Sequence, residues 1–493
     1  MRTKAEPLAA AVPFALLAVL AIAVLTFARV ALALLDATQL STDEAQYWAW
    51  GQDLAFGAYS KPPLIGWLIR GFTEVFGTSV WSVRLSSPLL HGATALAVLA
   101  LALRVLPPAA AALAALFYLT TPAVALGAAL ITTDTPLLLA ATLAFLAQHH
   151  LAQRRATGKA GFGWAMVLGV ALGLGFLSKY AMIYAALGMA LAAWAAPGWR
   201  IRGRDLAVAV LVAVLMLVPH LLWLAQQGFV TFLHLADTAQ PAGAERAVYA
   251  LPALRFLAEQ FVVIGPILFA ACLWAMLRAP RGSDDAGLAA LAAAPLAIVT
   301  LQALGGKALA NWAVLFIVPG VILAAGVLAQ HRALTLISLG LALVVTLALP
   351  LAKAIGTGWQ RPDGRLLLAR YMGHDEMGGW VTAQAQRLKA ATIVARDRDL
   401  LADLEWFATD QPWQVRAVPP PVRPANHWEL KQPFQPGLDA APVFVLQRTG
   451  TPLPCPTALP AAQLLAGPGH YQGQSLSLFA LPDPTCLMPE GAP

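Results

Sequence analysis

The chain has 493 residues, 59% of them hydrophobic and 12% charged, and a formal net charge of +7. A soluble domain carries charge on about a quarter of its residues, so this composition excludes an ordinary soluble protein and implies a polytopic α-helical membrane protein. The positive balance does not point to nucleic acid, because membrane chains gather Lys and Arg in cytoplasmic loops for topological reasons.

In chain order, Arg2 and Lys4 precede an apolar run from Val12 to Leu35. Ala31-Leu32-Ala33 looks like a signal-cleavage triplet, but the run is too long for a secretory h-region. It reads as an uncleaved first span. Further apolar stretches at 89–106, 109–130, 136–151, 163–178, 180–196, 206–225, 260–277, 287–303, 312–330 and 333–352 follow. Together they predict about eleven transmembrane helices, judged against the roughly 20 residues that cross a bilayer. Alternating these spans puts Arg2, Lys4, Arg104, Arg154, Arg155, Lys159, Arg200, Arg202, Arg204, Arg278, Arg281 and Arg332 on one side. Those 12 face seven Lys or Arg in the opposite loops before residue 353. The richer side should be the cytoplasm, and a bacterial inner membrane is the expected setting. An odd span count then carries the first loop, 36–88, and the tail, 353–493, to the periplasm.

The first loop is acidic, aromatic and basic at once: Ser41-Thr42-Asp43-Glu44-Ala45-Gln46-Tyr47-Trp48-Ala49-Trp50, then Tyr59-Ser60-Lys61-Pro62-Pro63-Leu64. Carboxylates beside hydrocarbon are costly and mark functional candidates. Asp43 and Glu44 are such a pair, and Asp134 returns a lone acid to the same membrane face. The residues from Ala45 to Ala55 can form a short interfacial helix. Its aromatics then have a bland reading as an interfacial belt, with Asp43 as a helix cap. Thr133-Asp134-Thr135-Pro136 likewise suits a helix start. Lys61 taken alone reads as a lysine snorkelling to headgroups. Lys179, at a short break between spans, can reach lipid phosphate or sit as a plain interfacial lysine, and Arg246 and Arg255 lie in an outer loop. Gly169, Gly173 and Gly175 follow no strand, so they read as helix packing and not as a phosphate loop. His149-His150 lacks partners at metal spacing.

The tail changes character: 24 of its 141 residues are charged and prolines cluster. Thr392–Ala395, Asp397–Thr409 and Gln414–Val418 read as strand, helix, strand, and Val443–Gln447 and Ser475–Leu481 as later strands. A small soluble α/β domain is expected. Cys455 and Cys486 can form a disulfide if the tail faces an oxidising periplasm, whereas Cys272 falls within a span as a packed hydrophobe.

The acidic pair after span one, the Tyr-x-Lys-Pro-Pro-Leu run and Thr133-Asp134-Thr135-Pro136-Leu137 together resemble the protein mannosyltransferase and aminoarabinose transferase group, glycosyltransferase family 39 and its relatives. Gly175-Phe176-Leu177-Ser178-Lys179-Tyr180 and Ala310-Asn311-Trp312 extend the resemblance over about residues 10 to 350. It implies a GT-C fold: a transmembrane catalytic domain over 1–352, with 353–493 as a soluble periplasmic α/β domain. It also implies a sugar donor on a polyprenyl phosphate and inversion at the anomeric carbon. Carried onto this chain, Asp43 matches the catalytic acid, with Glu44 beside it and Asp134 as the second acid. Lys61 matches the lysine that meets the carrier phosphate, with Tyr59, Lys179, Arg246 and Arg255 grouped around that phosphate. No cofactor is required. A divalent metal is left unassigned, because Ser60 stands where the aminoarabinose transferases tend to carry an acid.

The expected function is transfer of a sugar from a polyprenyl-phosphate donor to lipid A or another envelope glycan. A protein hydroxyl acceptor, as in protein O-mannosyl transfer, is an alternative. A lipid or sugar transporter, or a flippase, is a second. Transporters usually set ionisable groups near the bilayer midplane, whereas these acids gather at one face.

Overall fold

The structure is a computed structural model that describes residues 8–239 and 250–489. Helix α1 (Leu8–Ala33) leads into a loop carrying two short helices, α2 (Thr42–Gln52) and α3 (Leu64–Phe76). The bundle continues through α4 (Val80–Val105), α5 (Pro108–Thr120), α6 (Pro122–Ala129), α7 (Asp134–Ala156), α8 (Phe162–Ser178) and α9 (Met182–Ala195). It then runs through α10 (Gly203–Gln226), α11 (Val230–Ala239), α12 (Ala250–Val263), α13 (Pro266–Arg278), α14 (Asp284–Gly305), α15 (Ile317–Leu328) and α16 (Arg332–Ile355).

Among the described residues, seven helices are long and apolar enough to cross a membrane, or up to nine if each of two bent pairs counts as one span. This differs from the expected eleven, for two reasons. The stretch at 109–130 is broken at Thr121-Pro122, where α5 and α6 meet at 53°, and α12 and α13 meet at 115° across Gly265, whose φ is 106°. Proline cannot continue the helical hydrogen bonds and glycine alone takes such a φ readily. Helices α8 and α9 are apolar but have 17 and 14 residues, roughly 25 and 21 Å at 1.5 Å per residue. The glycines of α8 are packing residues: a Cβ on Gly169 would lie 2.6 Å from the Ala209 carbonyl of α10.

The tail holds α17 (His374–Leu388), β1 (Thr392–Ala395), α18 (Arg398–Phe407), β2 (Gln414–Ala417), α19 (His427–Lys431), β3 (Val443–Arg448), β4 (Leu459–Leu465) and β5 (Ser475–Leu481). The sheet order is β2-β1-β3-β5-β4, with β1 parallel to β2 and β3, and β5 antiparallel to β3 and β4. The small α/β tail is therefore as read from sequence, with β4 added. Cys455 and Cys486 are joined by a disulfide, and Cys272 is buried in α13.

The tail core is continuous with the first loop. Trp48 of α2 meets Trp406 of α18 edge to face at 4.9 Å, and Trp50 meets His427 at 6.0 Å. Tyr47, Trp48 and Trp50 thus anchor a protein interface, where the sequence suggested headgroup depth. Helices α2 and α3 cross so closely that a Cβ on Gly51 would lie 2.6 Å from the Gly66 carbonyl. The loop is pinned from beneath by Arg84 of α4, which is 2% exposed. Its guanidinium donates to Asp36, to the Gln39 carbonyl and to both oxygens of Glu44 at 2.8 Å. Lys353, at the end of α16, also pairs with Asp36 at 2.6 Å.

Candidate active site

The acidic pair divides. Successive helical residues point about 100° apart, so Asp43 and Glu44 at the start of α2 face different sides of the helix. Glu44 turns inward and is 2% exposed. Besides Arg84, it accepts from the Ser41 backbone N–H and hydroxyl, closing a capping box, and from the Ile131 backbone N–H. Burial alone would raise its pKa, but the Arg84 charge holds it at about 2. Every oxygen of Glu44 is thus engaged in holding the loop, and the sequence expectation that it belongs to the reacting pair meets a structural carboxylate.

Asp43 turns outward and is partly open. Two arginines of the tail grip it: Arg370 Nη2 donates to Oδ2 at 2.6 Å and Arg398 Nη2 to Oδ1 at 2.8 Å. Sequence reasoning missed both, since they lie more than 300 residues away in a domain that carries no shared motif. The one available signal was the alternation Arg396-Asp397-Arg398-Asp399 at the end of β1.

Asp134 opens α7, where Pro136 suits the first turn. One oxygen accepts from Lys179 Nζ at 2.6 Å, at the end of α8, and the other from Asn311 Nδ2 at 2.9 Å. Asn311 belongs to the Ala310-Asn311-Trp312 stretch noted in the sequence. Tyr47, one turn after Asp43, ties the acids together: burial first, then the charges of Asp43 and Asp134, raise its pKa.

Lys61 lies in the turn before α3, with its backbone carbonyl accepting from the Ala58 N–H. Among the described residues its ammonium has no hydrogen-bond or ion-pair partner, although burial and the Lys179 charge push its pKa down to about 8. Asp134, Asp43 and Arg398 also act on it. Asp43, Asp134, Lys61 and Lys179 are therefore one electrostatic cluster. Tyr59 is buried at its edge against His234 at 4.8 Å. Arg255 is exposed on α12 and makes no hydrogen bond or ion pair to these groups among the described residues, whereas Arg246 lies outside the described residues.

An open apolar cavity of about 410 Å³ is lined by side chains of α3, α4, α7 and α8, among them Leu64, Leu90, Pro136, Leu139 and Leu174. Leu64 is three residues after Lys61 and Pro136 two after Asp134. The charged groups thus lie at or just beyond the ends of helices whose apolar side chains line the cavity.

The family described as dolichyl-phosphate-mannose-protein mannosyltransferase matches residues 60–223. The lipid A galacturonosyltransferase RgtD of Rhizobium johnstonii (strain DSM 114642 / LMG 32736 / 3841) is 36% identical over 471 residues, 94% of this chain and 97% of that protein. The chain belongs to the GT-C membrane glycosyltransferases. Over 34% of this GT-C chain and 31% of the relative, it is also 30% identical to the undecaprenyl phosphate-alpha-4-amino-4-deoxy-L-arabinose arabinosyl transferase of Serratia proteamaculans (strain 568). The fold agrees with that of ArnT from Cupriavidus metallidurans. In the apo state ArnT gives a TM-score of 0.65 at 16% identity, covering 95% of this chain and 98% of that one. The structure bound to undecaprenyl phosphate gives 0.62 at 17% identity, covering 94% and 97%. A multi-pass GT-C glycosyltransferase with a small C-terminal sheet is thus established.

Proposed function

We propose that this glycosyltransferase moves a sugar from a polyprenyl-phosphate donor, of the undecaprenyl type, to lipid A at the periplasmic face of the inner membrane. The observation that carries the reading is the charged cluster of Asp43, Asp134, Lys61 and Lys179 beside an apolar cavity. A lipid phosphate needs that pairing: hydrocarbon walls for its chain and cations for its head. The name of the Rhizobium relative favours lipid A as acceptor and puts a uronic acid among the sugars to consider.

In this reading the chain from residue 1 to 352 is the catalytic domain, and the tail from 353 closes over the first loop. The acceptor hydroxyl oxygen bonds to the anomeric carbon as the bond from that carbon to the carrier phosphate breaks. Asp43 takes the hydroxyl proton. If the attacking group is a phosphate, no base is needed and Asp43 orients it. Lys61 offsets the charge that grows on the departing phosphate. Lys179, held by Asp134, fixes the second acid and contributes positive charge to the same space. Glu44 is assigned a positioning role through Arg84. The Lys and Arg distribution and the disulfide both support a periplasmic site and tail.

Reconstitution tests this. Purified full-length protein, given a defined polyprenyl-phosphate sugar and lipid A, should release one polyprenyl phosphate for each sugar transferred. Movement of intact donor across a vesicle bilayer without sugar transfer would favour a flippase instead.

A further inference from the structure

The grip of Arg370 and Arg398 on Asp43 is unexplained by acid–base chemistry, because each oxygen that would take a proton already accepts a hydrogen bond from an arginine. Each arginine uses one N–H donor on Asp43, of the five a guanidinium carries. Both are substantially exposed, at 61% and 46%. Donors therefore remain for a second planar anion at the same place.

The fold directs both arginines there. Arg370 sits in a short turn, Ala369–Tyr371, whose Arg370 carbonyl lies 3.1 Å from His374 Nε2. That ring is in turn held through Nδ1 by Asp403 at 2.7 Å, and Asp403 accepts from the Tyr471 hydroxyl at 2.7 Å. Arg398 lies between two acids, Asp397 and Asp399, that would ordinarily claim it. Arg448 takes both, at 2.5 and 2.6 Å. The neighbouring acids being satisfied by another base, the charge of Arg398 is left for the site.

We propose that Arg370 and Arg398 recognise the carboxylate of the transferred sugar, so that the donor is a uronosyl polyprenyl phosphate. This rests on the reading of Asp43 as the group beside the anomeric carbon. The Asp43 carboxylate, with one oxygen on each arginine, displays the geometry that a sugar carboxylate would adopt there. Arginine suits that task because its planar fork matches a carboxylate and keeps its charge at any working pH. Transfer of the arginines to the sugar carboxylate would also leave Asp43 free to accept the acceptor proton, so substrate recognition and base release are one event. The cationic partners of the carrier phosphate, Lys61 and Lys179, belong to the membrane part, which leaves the two tail arginines to the sugar.

The test uses full-length protein in lipid nanodiscs with two donors that differ only at C6, galacturonosyl and galactosyl undecaprenyl phosphate. The readout is the ratio of their kcat/KM values. The parent should prefer the acidic donor by about 100-fold, because the neutral donor leaves two charged hydrogen bonds unmade at about tenfold each. Arg370→Gln and Arg398→Gln should each lower that ratio by roughly tenfold, and the double variant should bring it near one. A ratio unchanged in the variants would overturn the carboxylate assignment while leaving glycosyl transfer intact. A parent inert with both donors would overturn the transfer reading itself. Repeating the series with lipid A stripped of phosphate separates the two anion sources: an arginine effect that vanishes there would assign the pair to the acceptor phosphate and overturn the proposal.

Discussion

At residue scale, Asp43 and Glu44 are neighbours with different surroundings and different proposed tasks, and substitution should separate them. Asp43→Asn keeps size and removes the charge proposed to take a proton, so single-turnover transfer to a hydroxyl acceptor should fall by about a hundredfold or more with the thermal midpoint retained. Glu44→Gln should do the reverse. It strips one partner from a buried ion pair, a change that costs about 3–5 kcal/mol, and should appear first as a lower unfolding temperature. The sign of its pH dependence follows from the depressed pKa. A group held at about 2, against an ordinary 4.5, stabilises the fold above about pH 4.5 and loses that contribution as pH falls toward 2. Lys61 behaves oppositely. With its pKa pushed down to about 8, the ammonium is present below that pH and lost above it. Donor affinity should therefore weaken as pH rises through about 8. Lys61→Arg should abolish that alkaline loss and retain part of the activity, because a guanidinium does not deprotonate there. A pH profile of kcat/KM for parent and variant checks both statements.

Between elements, the decisive contacts are α2 against α18 and the cavity among α3, α4, α7 and α8. The cavity gives its own prediction. Leu139→Trp should crowd the apolar wall and raise the KM for a long-chain polyprenyl donor by about tenfold, equal to about 1.4 kcal/mol, while a donor with a short soluble chain is affected less. Equal loss for both chain lengths would place the lipid elsewhere. This scale also shows how far the sequence could be read. Asp43, Lys61 and Asp134 could be picked out as candidates because each lies in a short motif, on a helix start or a proline-restrained turn. The strands β1 and β3 were legible from their apolar runs, and β2 and β5 from alternating apolar residues. Strand β4 was not, because Leu459–Leu465 contains Pro460, is mostly exposed at the sheet edge and shifts register between Pro460 and Ala462. Arg370 and Arg398 were illegible for a different reason: tertiary packing, and no local pattern, carries them to Asp43. Hydropathy likewise reports what a segment is made of and not where it bends, which is why the breaks at Pro122 and Gly265 reduced the number of straight spans.

For the whole molecule, the tail packs on the first loop and brings Arg370 and Arg398 to Asp43, so the proposed topology and the proposed chemistry stand together. Reporter fusions after residue 400 should be active only as periplasmic reporters; activity confined to a cytoplasmic reporter would contradict the placement of the loop and the tail at once. The most direct test is mass spectrometry of lipid A and envelope glycans from cells that carry the parent chain, the Asp43→Asn variant or no copy. Sugar transfer to lipid A predicts one added glycosyl mass on lipid A with the parent, absent from the other two. Identical lipid A in all three strains, or the same mass retained with Asp43→Asn, would contradict it.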